Sequence, residues 1–181
     1  MTGVAQAKCL TGPRPVNIMQ INLHHSKLAM SMLDLAISNL SEVVVLAQEP
    51  YVPRGQVSGL ASTVQVHQGL GPRPRTAIFS KNVNLWYCSS LSDGDSVTCV
   101  GYIGKKKTYI NSSYCDGNVM DIPEALERTV VKASIGGHGL LIGVDSNAHS
   151  LVWGHKEDIR GEMILNFIAK KTLPWKMRAK Q

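Results

Sequence analysis

The opening of the chain has a strand, helix, strand pattern that restricts the fold class. Residues 16–22 are almost continuously apolar and predict a buried strand. Residues 43–49 predict a second buried strand, so that strand, helix and strand fit within about thirty-five residues. Between them Ser26 is placed to cap a helix, whose predicted apolar face is Ala29, Leu33, Ala36 and Leu40. This β-α-β opening indicates an α/β class with a sheet covered by helices.

The middle of the chain changes to β patterns. Residues 50–75 are rich in Gly, Pro, Ser and Gln, which predicts a long surface loop. Short β-branched or aromatic runs then occupy residues 76–80, 85–90, 97–103 and 108–114. Turn signals separate them at residues 93–95 and 104–105, and we interpret these runs as a mostly antiparallel meander.

Helical patterns return in the last third. Asp121 and Glu124 form a capping-box pattern with Pro123 in the first turn. The predicted apolar face of this helix is Ile122, Leu126, Val130 and Ala133. Gly136 and Gly137 end it, residues 140–145 predict another buried strand, and Asp158 caps a last helix reaching about Lys170. With 181 residues and 44% hydrophobic content, a single domain is the expectation.

Charge and cysteine content narrow the function classes. The formal net charge is +6, part of it clustered at Lys105, Lys106 and Lys107 and in the tail at Lys170, Lys171, Lys176, Arg178 and Lys180. A polyanionic partner fits this balance, and so does a solvated lysine turn. Cys9, Cys88, Cys99 and Cys115 include no C-x-x-C pair, so reduced structural thiols are expected. No apolar run approaches the length of a membrane span, and we expect an intracellular protein that does not bind membranes.

Polar residues stand at the carboxyl ends of the predicted apolar strands. Asn22, Glu49 and Asp145 each end one such run, and Asn147 lies two residues after Asp145. Ligands in α/β sheets gather beyond the carboxyl ends of strands. Carboxylates suit Mg²⁺, which takes one or two of them and fills its other positions with water and phosphate. These residues therefore indicate a phosphodiester-cleaving site, whereas each one alone is explained as a strand-ending turn residue.

An ordered set of short motifs resembles one enzyme family. The motifs are Gln20-Ile21-Asn22-Leu23, Gln48-Glu49-Pro50-Tyr51, Arg75-Thr76-Ala77-Ile78-Phe79, Ser113-Tyr114, Asp145-Ser146-Asn147-Ala148-His149, Trp153-Gly154 and Arg160-Gly161. Together they resemble the apurinic-type endonuclease domain of non-LTR retrotransposons, within the endonuclease/exonuclease/phosphatase superfamily. The resemblance implies a two-sheet α/β sandwich of the DNase I-like type. It covers residues 16–171, which leaves residues 1–15 as an N-terminal extension and 172–181 as a divergent basic tail.

The resemblance also implies a reaction and its residues. Such a domain nicks target DNA, and the 3′-hydroxyl primes a reverse transcriptase on the same polyprotein, which places it in the nucleus. By similarity Glu49 would hold Mg²⁺, with Mn²⁺ as the alternative ion, and Asn22 would support the metal. Tyr114 would contact the scissile phosphate, Asp145 would position the water, and Asn147 would stabilise the transition state. Residues that would bind DNA are Arg75, Lys105, Lys106 and Lys107.

One departure from the family pattern changes these expectations. The Ser-Asp-His motif expected after the last helix is absent from the sequence, and Ser92-Asp93-Gly94, which resembles its start, is interpreted as a turn. His149 and His155 are candidate replacements for which the sequence supplies no orienting carboxylate. We therefore expect a sandwich lacking its last strands, of marginal stability. Two alternatives stay open: a catalytically inactive retrotransposon fragment that at most binds nucleic acid, and a phosphatase of the same superfamily.

Overall fold

The computed structural model describes residues 15–154 and 156–171. Within these ranges the chain forms eight strands and three helices. The strands are β1 (Asn17–Asn22), β2 (Val43–Gln48), β3 (Gln65–Gln68), β4 (Thr76–Lys81), β5 (Leu85–Tyr87), β6 (Ser96–Ile103), β7 (Lys106–Tyr114) and β8 (Gly139–Asp145). The helices are α1 (Lys27–Ser38), α2 (Glu124–Ile135) and α3 (Ile159–Lys170). Most of the predicted N-terminal extension, the predicted basic tail, Cys9 and His155 lie outside the described residues.

The strands form two four-stranded sheets, in the orders β1-β2-β4-β3 and β5-β6-β7-β8. Each sheet contains one parallel pair, β1 with β2 and β7 with β8, and its other pairs are antiparallel. The predicted two-sheet α/β sandwich is therefore confirmed. The meander prediction holds for β5, β6 and β7, but it is wrong for β4, which pairs with β2 and β3 in the first sheet.

β2 is buried along its whole length because it is covered on both faces. Val44 and Leu46 face the second sheet and pack in one core cluster with Val97 and Ile110. Val43, Val45 and Ala47 alternate to the opposite face, where the buried residues of α1 cover them. This double burial explains why the strand is continuously apolar in sequence.

Helix α1 begins as predicted, because the Ser26 hydroxyl accepts a hydrogen bond from the Ala29 amide at 3.2 Å. Its predicted apolar face is partly wrong. The buried residues are Met30, Leu33 and Ile37, while Ala36 is exposed. Two overlapping helical faces share Leu33, and the helix buries the one that carries the larger side chains, which removes more apolar area from water.

Helix α2 begins at Glu124, after Pro123, and has no side-chain cap. The predicted capping box is therefore wrong, and Asp121 is exposed before the helix. A residue that precedes proline is disfavoured in the α conformation, so Ile122 cannot readily start a helix capped by Asp121. Leu126, Val130 and Ala133 of the predicted apolar face are buried, and Gly137 follows the helix with φ of 61°. Ile122, the first residue of that predicted face, lies before the helix and is half-buried, so this part of the prediction is wrong.

The predicted loop at residues 50–75 contains the edge strand β3. This strand is only four residues long, carries one apolar residue and is buried nowhere, so it lacks the pattern of a core strand. Strand β8 is mostly half-buried where full burial was predicted, because it lies at the edge of its sheet. Among the described cysteines, Cys88, Cys99 and Cys115 are free thiols, as predicted. No helix in the described ranges has the length and apolarity needed to cross a membrane.

Candidate functional site

The strands bring the predicted polar residues to one end of the sandwich. Asn22 ends β1, Glu49 directly follows β2, and Asp145 ends β8. Tyr114 ends β7 and is the register partner of Asp145. Because β1 is parallel to β2 and β7 is parallel to β8, the carboxyl ends of both pairs meet at one cleft.

A direct hydrogen bond joins the two sheets at this cleft. The Asn22 Nδ2 atom donates to Asp145 Oδ2 at 2.6 Å. Asp145 Oδ1 also accepts from the Asn147 amide at 3.2 Å, and Asn22 Oδ1 accepts from the His24 amide at 2.8 Å. Both carboxylate oxygens of Asp145 are thus held by hydrogen bonds from neighbours, which fixes the orientation of the side chain.

Glu49 is held by its backbone in a conformation that L-residues rarely adopt, with φ of 48°. Its amide donates to the Arg75 carbonyl at 2.7 Å, and its carbonyl accepts from the His25 amide at 2.8 Å. The carboxylate is 18% exposed and lies 3.6 Å from both His24 Nδ1 and His25 Nε2. The turn after β2 therefore directs a negative charge into the cleft.

Tyr114 lies beside these carboxylates and keeps its proton. Burial is the main cause that raises the pKa of its hydroxyl, and the charges of Glu49 and Asp145 raise that pKa further. A hydrogen bond with Asn147 and the charge of Arg75 act in the opposite direction. A protonated phenol is a hydrogen-bond donor at neutral pH, which is what contact with an anionic oxygen requires.

Arg75 pairs with protein carboxylates at the rim of the cleft. Its Nη2 donates to Asp95 Oδ2 at 2.6 Å, its Nε donates to Asp95 Oδ1, and its Nη1 donates to Asp116. The guanidinium carbon lies 5.0 Å from the centre of the Tyr114 ring. These contacts make Arg75 a support for Tyr114, and its predicted role in DNA binding stays a prediction.

The loop that carries Asn147 is fixed by a buried arginine whose role the sequence did not reveal. Arg160, only 7% exposed, donates to the carbonyls of Ser146 and Asn147, each at 3.2 Å. It also donates to the carbonyls of Gly117 and Val119. Asn147 itself has φ of 45°, and its Nδ2 donates to the Cys115 carbonyl at 3.0 Å. The Arg160-Gly161 motif singled out this arginine in the sequence. Its hydrogen-bond partners could not be predicted, because they lie on two loops that meet only in the folded chain.

His149 has the carboxylate partner that the sequence was expected not to supply. Its Nδ1 lies 2.9 Å from Asp158 Oδ2, and its backbone amide donates to the same oxygen at 3.0 Å. Asp158 also caps α3, where its Oδ1 accepts from the Gly161 amide at 2.7 Å. That expectation is therefore wrong, because Asp158 lies nine residues further along the chain and only the loop between them makes the pair.

Lys105, Lys106 and Lys107 lie away from the cleft. They occupy the turn between β6 and β7 and the start of β7, whereas Tyr114 is at the other end of that strand. At about 3.3 Å per residue, Lys106 is roughly 26 Å from Tyr114. The three lysines were predicted to bind DNA, and the structure does not bring them together with the candidate catalytic residues.

The cleft residues suit a hard divalent ion. In the described ranges no group of three or more His, Cys, Asp and Glu residues could hold a metal ion. Mg²⁺ does not require such a group, because it binds through one or two carboxylates and keeps several waters. The Glu49 carboxylate, directed into the cleft by its turn, and the Asn22 amide oxygen provide hard oxygen donors of this type.

Comparison with solved structures defines the class of this fold. The described residues form a two-sheet α/β sandwich, the fold that the motif resemblance implied. The chain is similar to the endonuclease domain of TRAS1, a telomere-specific non-LTR retrotransposon, with a TM-score of 0.73 and 23% sequence identity. The match covers 87% of this chain and 73% of that domain. No protein-family model and no curated protein matches the chain by sequence.

Proposed function

We propose that this chain is a metal-dependent DNA endonuclease domain that nicks one strand of its target. The Asn22–Asp145 hydrogen bond carries the proposal, because it joins the two sheets where Glu49, Tyr114 and Asn147 also lie. The similarity to the TRAS1 endonuclease domain supports it at the level of the fold. The net charge of +6 suits a polyanionic substrate.

Mg²⁺ is the proposed cofactor, with Mn²⁺ as an alternative, held by Glu49 and supported by Asn22. The ion would neutralise charge on a phosphate oxygen and lower the barrier to phosphodiester cleavage. The protein would supply the other groups. Asp145 would orient the attacking water with the carboxylate that Asn22 and Asn147 hold in place. As the water attacks phosphorus, Asp145 would accept its proton, the bond between phosphorus and the 3′-oxygen would break, and that oxygen would take up a proton from solvent to leave a 3′-hydroxyl.

Tyr114 and Asn147 are proposed to bind the phosphate as charge develops on its oxygens. Tyr114 keeps its proton beside two carboxylates and so donates a hydrogen bond. Asn147 is fixed by the Arg160 contacts to its loop, so its amide requires little reorganisation. Arg75 would orient Tyr114 through its position over the ring.

The biological role is proposed from the same resemblance. A nick leaves a 3′-hydroxyl that a reverse transcriptase on the same polyprotein could extend, and this would take place in the nucleus. A phosphatase of the same superfamily would be distinguished by its substrate, since it would act on phosphomonoesters.

The test is a supercoiled-plasmid nicking assay with Mg²⁺ that compares the chain with its Glu49→Gln and Asp145→Asn variants. We expect each variant to lose about 10²-fold or more of the rate, because each removes a group that acts on the transition state. Glu127→Gln removes the same charge from an exposed position on α2, outside the cleft, and should nick normally. EDTA should abolish nicking. Persistence of nicking in both cleft variants would overturn the proposal.

Non-catalytic nucleic-acid binding is the second candidate. The lysines at positions 105–107 favour it, because they lie away from the cleft and can neutralise phosphates without any cleavage chemistry. Under this candidate, folded protein would retain plasmids in a gel-shift assay without nicking them. Nicking that depends on Glu49 and Asp145 would exclude it.

A further inference from the structure

Two aromatic rings are exposed side by side at the end of the second sheet that is remote from the cleft. Trp86 is 56% exposed and Tyr102 is 59% exposed. Trp86 is the register partner of Val100, and Tyr102 lies two residues further along β6, so both rings are on one face of the sheet. Leu85, which precedes Trp86 and pairs with Gly101, points to the opposite face of the sheet and is only 7% exposed. The exposed rings are therefore placed by strand alternation around a buried core residue.

Three lysines lie on the turn between β6 and β7 and at the start of β7, next to Tyr102. Lys107 is the register partner of Tyr102, and Lys106 is the partner of Ile103. Lys105 occupies the turn after Gly104, which has φ of 62°. The Lys107 Nζ lies 5.8 Å from the centre of the Tyr109 ring, while Lys105 and Lys106 are exposed. We refer to Trp86, Tyr102, Lys105, Lys106 and Lys107 as the hairpin patch.

We propose that the hairpin patch binds single-stranded nucleic acid. Bases stack on exposed aromatic rings only when they are not already stacked and paired in a duplex, and lysines neutralise the phosphates that connect them. The side-by-side rings provide a platform for consecutive bases, and the lysines on the adjoining turn provide positive charge along one side.

The cavity beside the two rings indicates how a bound nucleic-acid strand would lie. A shallow cavity of about 260 Å³ is lined by Val16, Glu42, Asn84, Trp86 and Tyr102, among other residues. It is smaller than the roughly 300–1,000 Å³ of typical small-molecule sites. Glu42 disfavours phosphate on this side, so the backbone should follow the lysines while a base occupies the cavity.

This binding site is separate from the proposed catalytic cleft and does not rest on the proposed function. The length of β7 places roughly 26 Å between the lysines and Tyr114, at about 3.3 Å per residue. Binding at the patch should therefore persist in EDTA and in the Glu49→Gln variant. Loss of nicking and loss of single-strand binding would then be independent results.

The test is fluorescence anisotropy with a labelled oligothymidine of about 12 nucleotides in EDTA, within the usual range of single-strand sites. We expect the dissociation constant to rise about tenfold in Trp86→Ala and in Lys105→Gln/Lys106→Gln. The lysine variant should also reduce the slope of log K against log salt by about 1.4, at roughly 0.7 per phosphate contact. Circular dichroism and urea unfolding would verify that both surface variants fold.

Lys170→Gln/Lys171→Gln is the matched control, because it removes the same charge from the end of α3. It should change the dissociation constant less than twofold. Equal weakening by the control and by Lys105→Gln/Lys106→Gln would overturn the proposal, since it would indicate attraction by net charge alone. Unchanged affinity in Trp86→Ala would also overturn it. So would preferential binding of the patch to phosphatidylserine vesicles, or to the same sequence in duplex form.

Discussion

At the scale of single residues, the backbone of Glu49 is strained. Its φ of 48° is a left-handed conformation that costs about 1–3 kcal/mol for a residue other than glycine. Hydrogen bonds to the Arg75 carbonyl and from the His25 amide hold it there. A glycine would fit this turn with less strain, so the carboxylate at this position is better explained by function than by stability.

This strain predicts an unusual stability order for two variants. Both Glu49→Gly and Glu49→Ala should lose nicking, but Glu49→Gly should be the more stable by about 1 kcal/mol, because glycine adopts positive φ without strain. Urea unfolding of the two proteins measures the difference. Glu42 is not among the residues with positive φ, so Glu42→Gly should be less stable than Glu42→Ala. An alanine variant at Glu49 as stable as the glycine variant would contradict the strained turn.

The sequence predicted the strand-end residues better than it predicted what supports them. Asn22, Glu49 and Asp145 each follow an apolar run, so their location could be inferred from pattern alone. Arg75 is different, since its partners Asp95 and Asp116 lie 20 and 41 residues away and no local pattern identifies them. Side-chain partners that meet only after the sheets pack are determined by tertiary structure.

At the scale of elements, α3 fixes the loop that carries the candidate catalytic residues. Its first turn packs so closely that a Cβ atom on Gly161 would lie 1.8 Å from the His149 carbonyl oxygen. Asp158 caps the helix and also binds His149, and Arg160 binds the carbonyls of residues 146 and 147. The start of the helix and the end of β8 therefore form one rigid unit.

Gly161→Ala should separate these two elements. The added methyl group overlaps backbone, so either α3 or the loop must move, at a cost of about 1–3 kcal/mol in the free energy of unfolding. Nicking should fall as well, because Asn147 is displaced. Gly117→Ala is the control, since a Cβ there meets nothing within 4 Å. Equal midpoints for both variants in urea unfolding would show that α3 is not tightly docked.

Errors in element prediction have local physical causes. The predicted start of α2 is too early, because Pro123 disfavours the helical conformation of Ile122 that a cap at Asp121 requires. Strand β3 was not predicted because it has one apolar residue and depends on pairing with β4, which no local pattern encodes. Long periodic elements such as α3 were predicted closely, since their caps and faces are encoded within a few residues.

At the scale of the whole molecule, different contacts connect the two sheets at their opposite edges. Near β1 and β8, Gln20 Nε2 donates to the Val144 carbonyl at 2.9 Å. Near β3 and β5, the rings of His67 and Tyr87 stack with centroids 6.2 Å apart and planes 6° apart. The two-sheet class could be inferred from motifs, but these connections could not, because they join edge strands whose order the sequence does not specify.

The His67–Tyr87 contact predicts a loss of stability in mild acid. Burial lowers the pKa of His67 from its ordinary 6.5, and Nε2 is buried without a hydrogen bond among the described residues. Below pH 6.5 the unfolded chain therefore binds a proton more readily than the folded chain. The stabilising contribution of neutral His67 is present above pH 6.5 and is lost as the pH falls through the lowered pKa.

Urea unfolding at pH 7.5 and pH 5.5 measures this effect. His67→Phe keeps an aromatic ring against Tyr87 and removes the titrating group, so its stability should fall less between the two pH values than that of the unaltered chain. Tyr87→Phe keeps both His67 and the stacked ring, so it should show the full loss in acid. The same pH dependence in His67→Phe and in the unaltered chain would place the acid-sensitive group elsewhere. A flatter response in His67→Phe alone would show that the half-buried His67 at the β3 edge limits the pH range over which the two sheets stay packed.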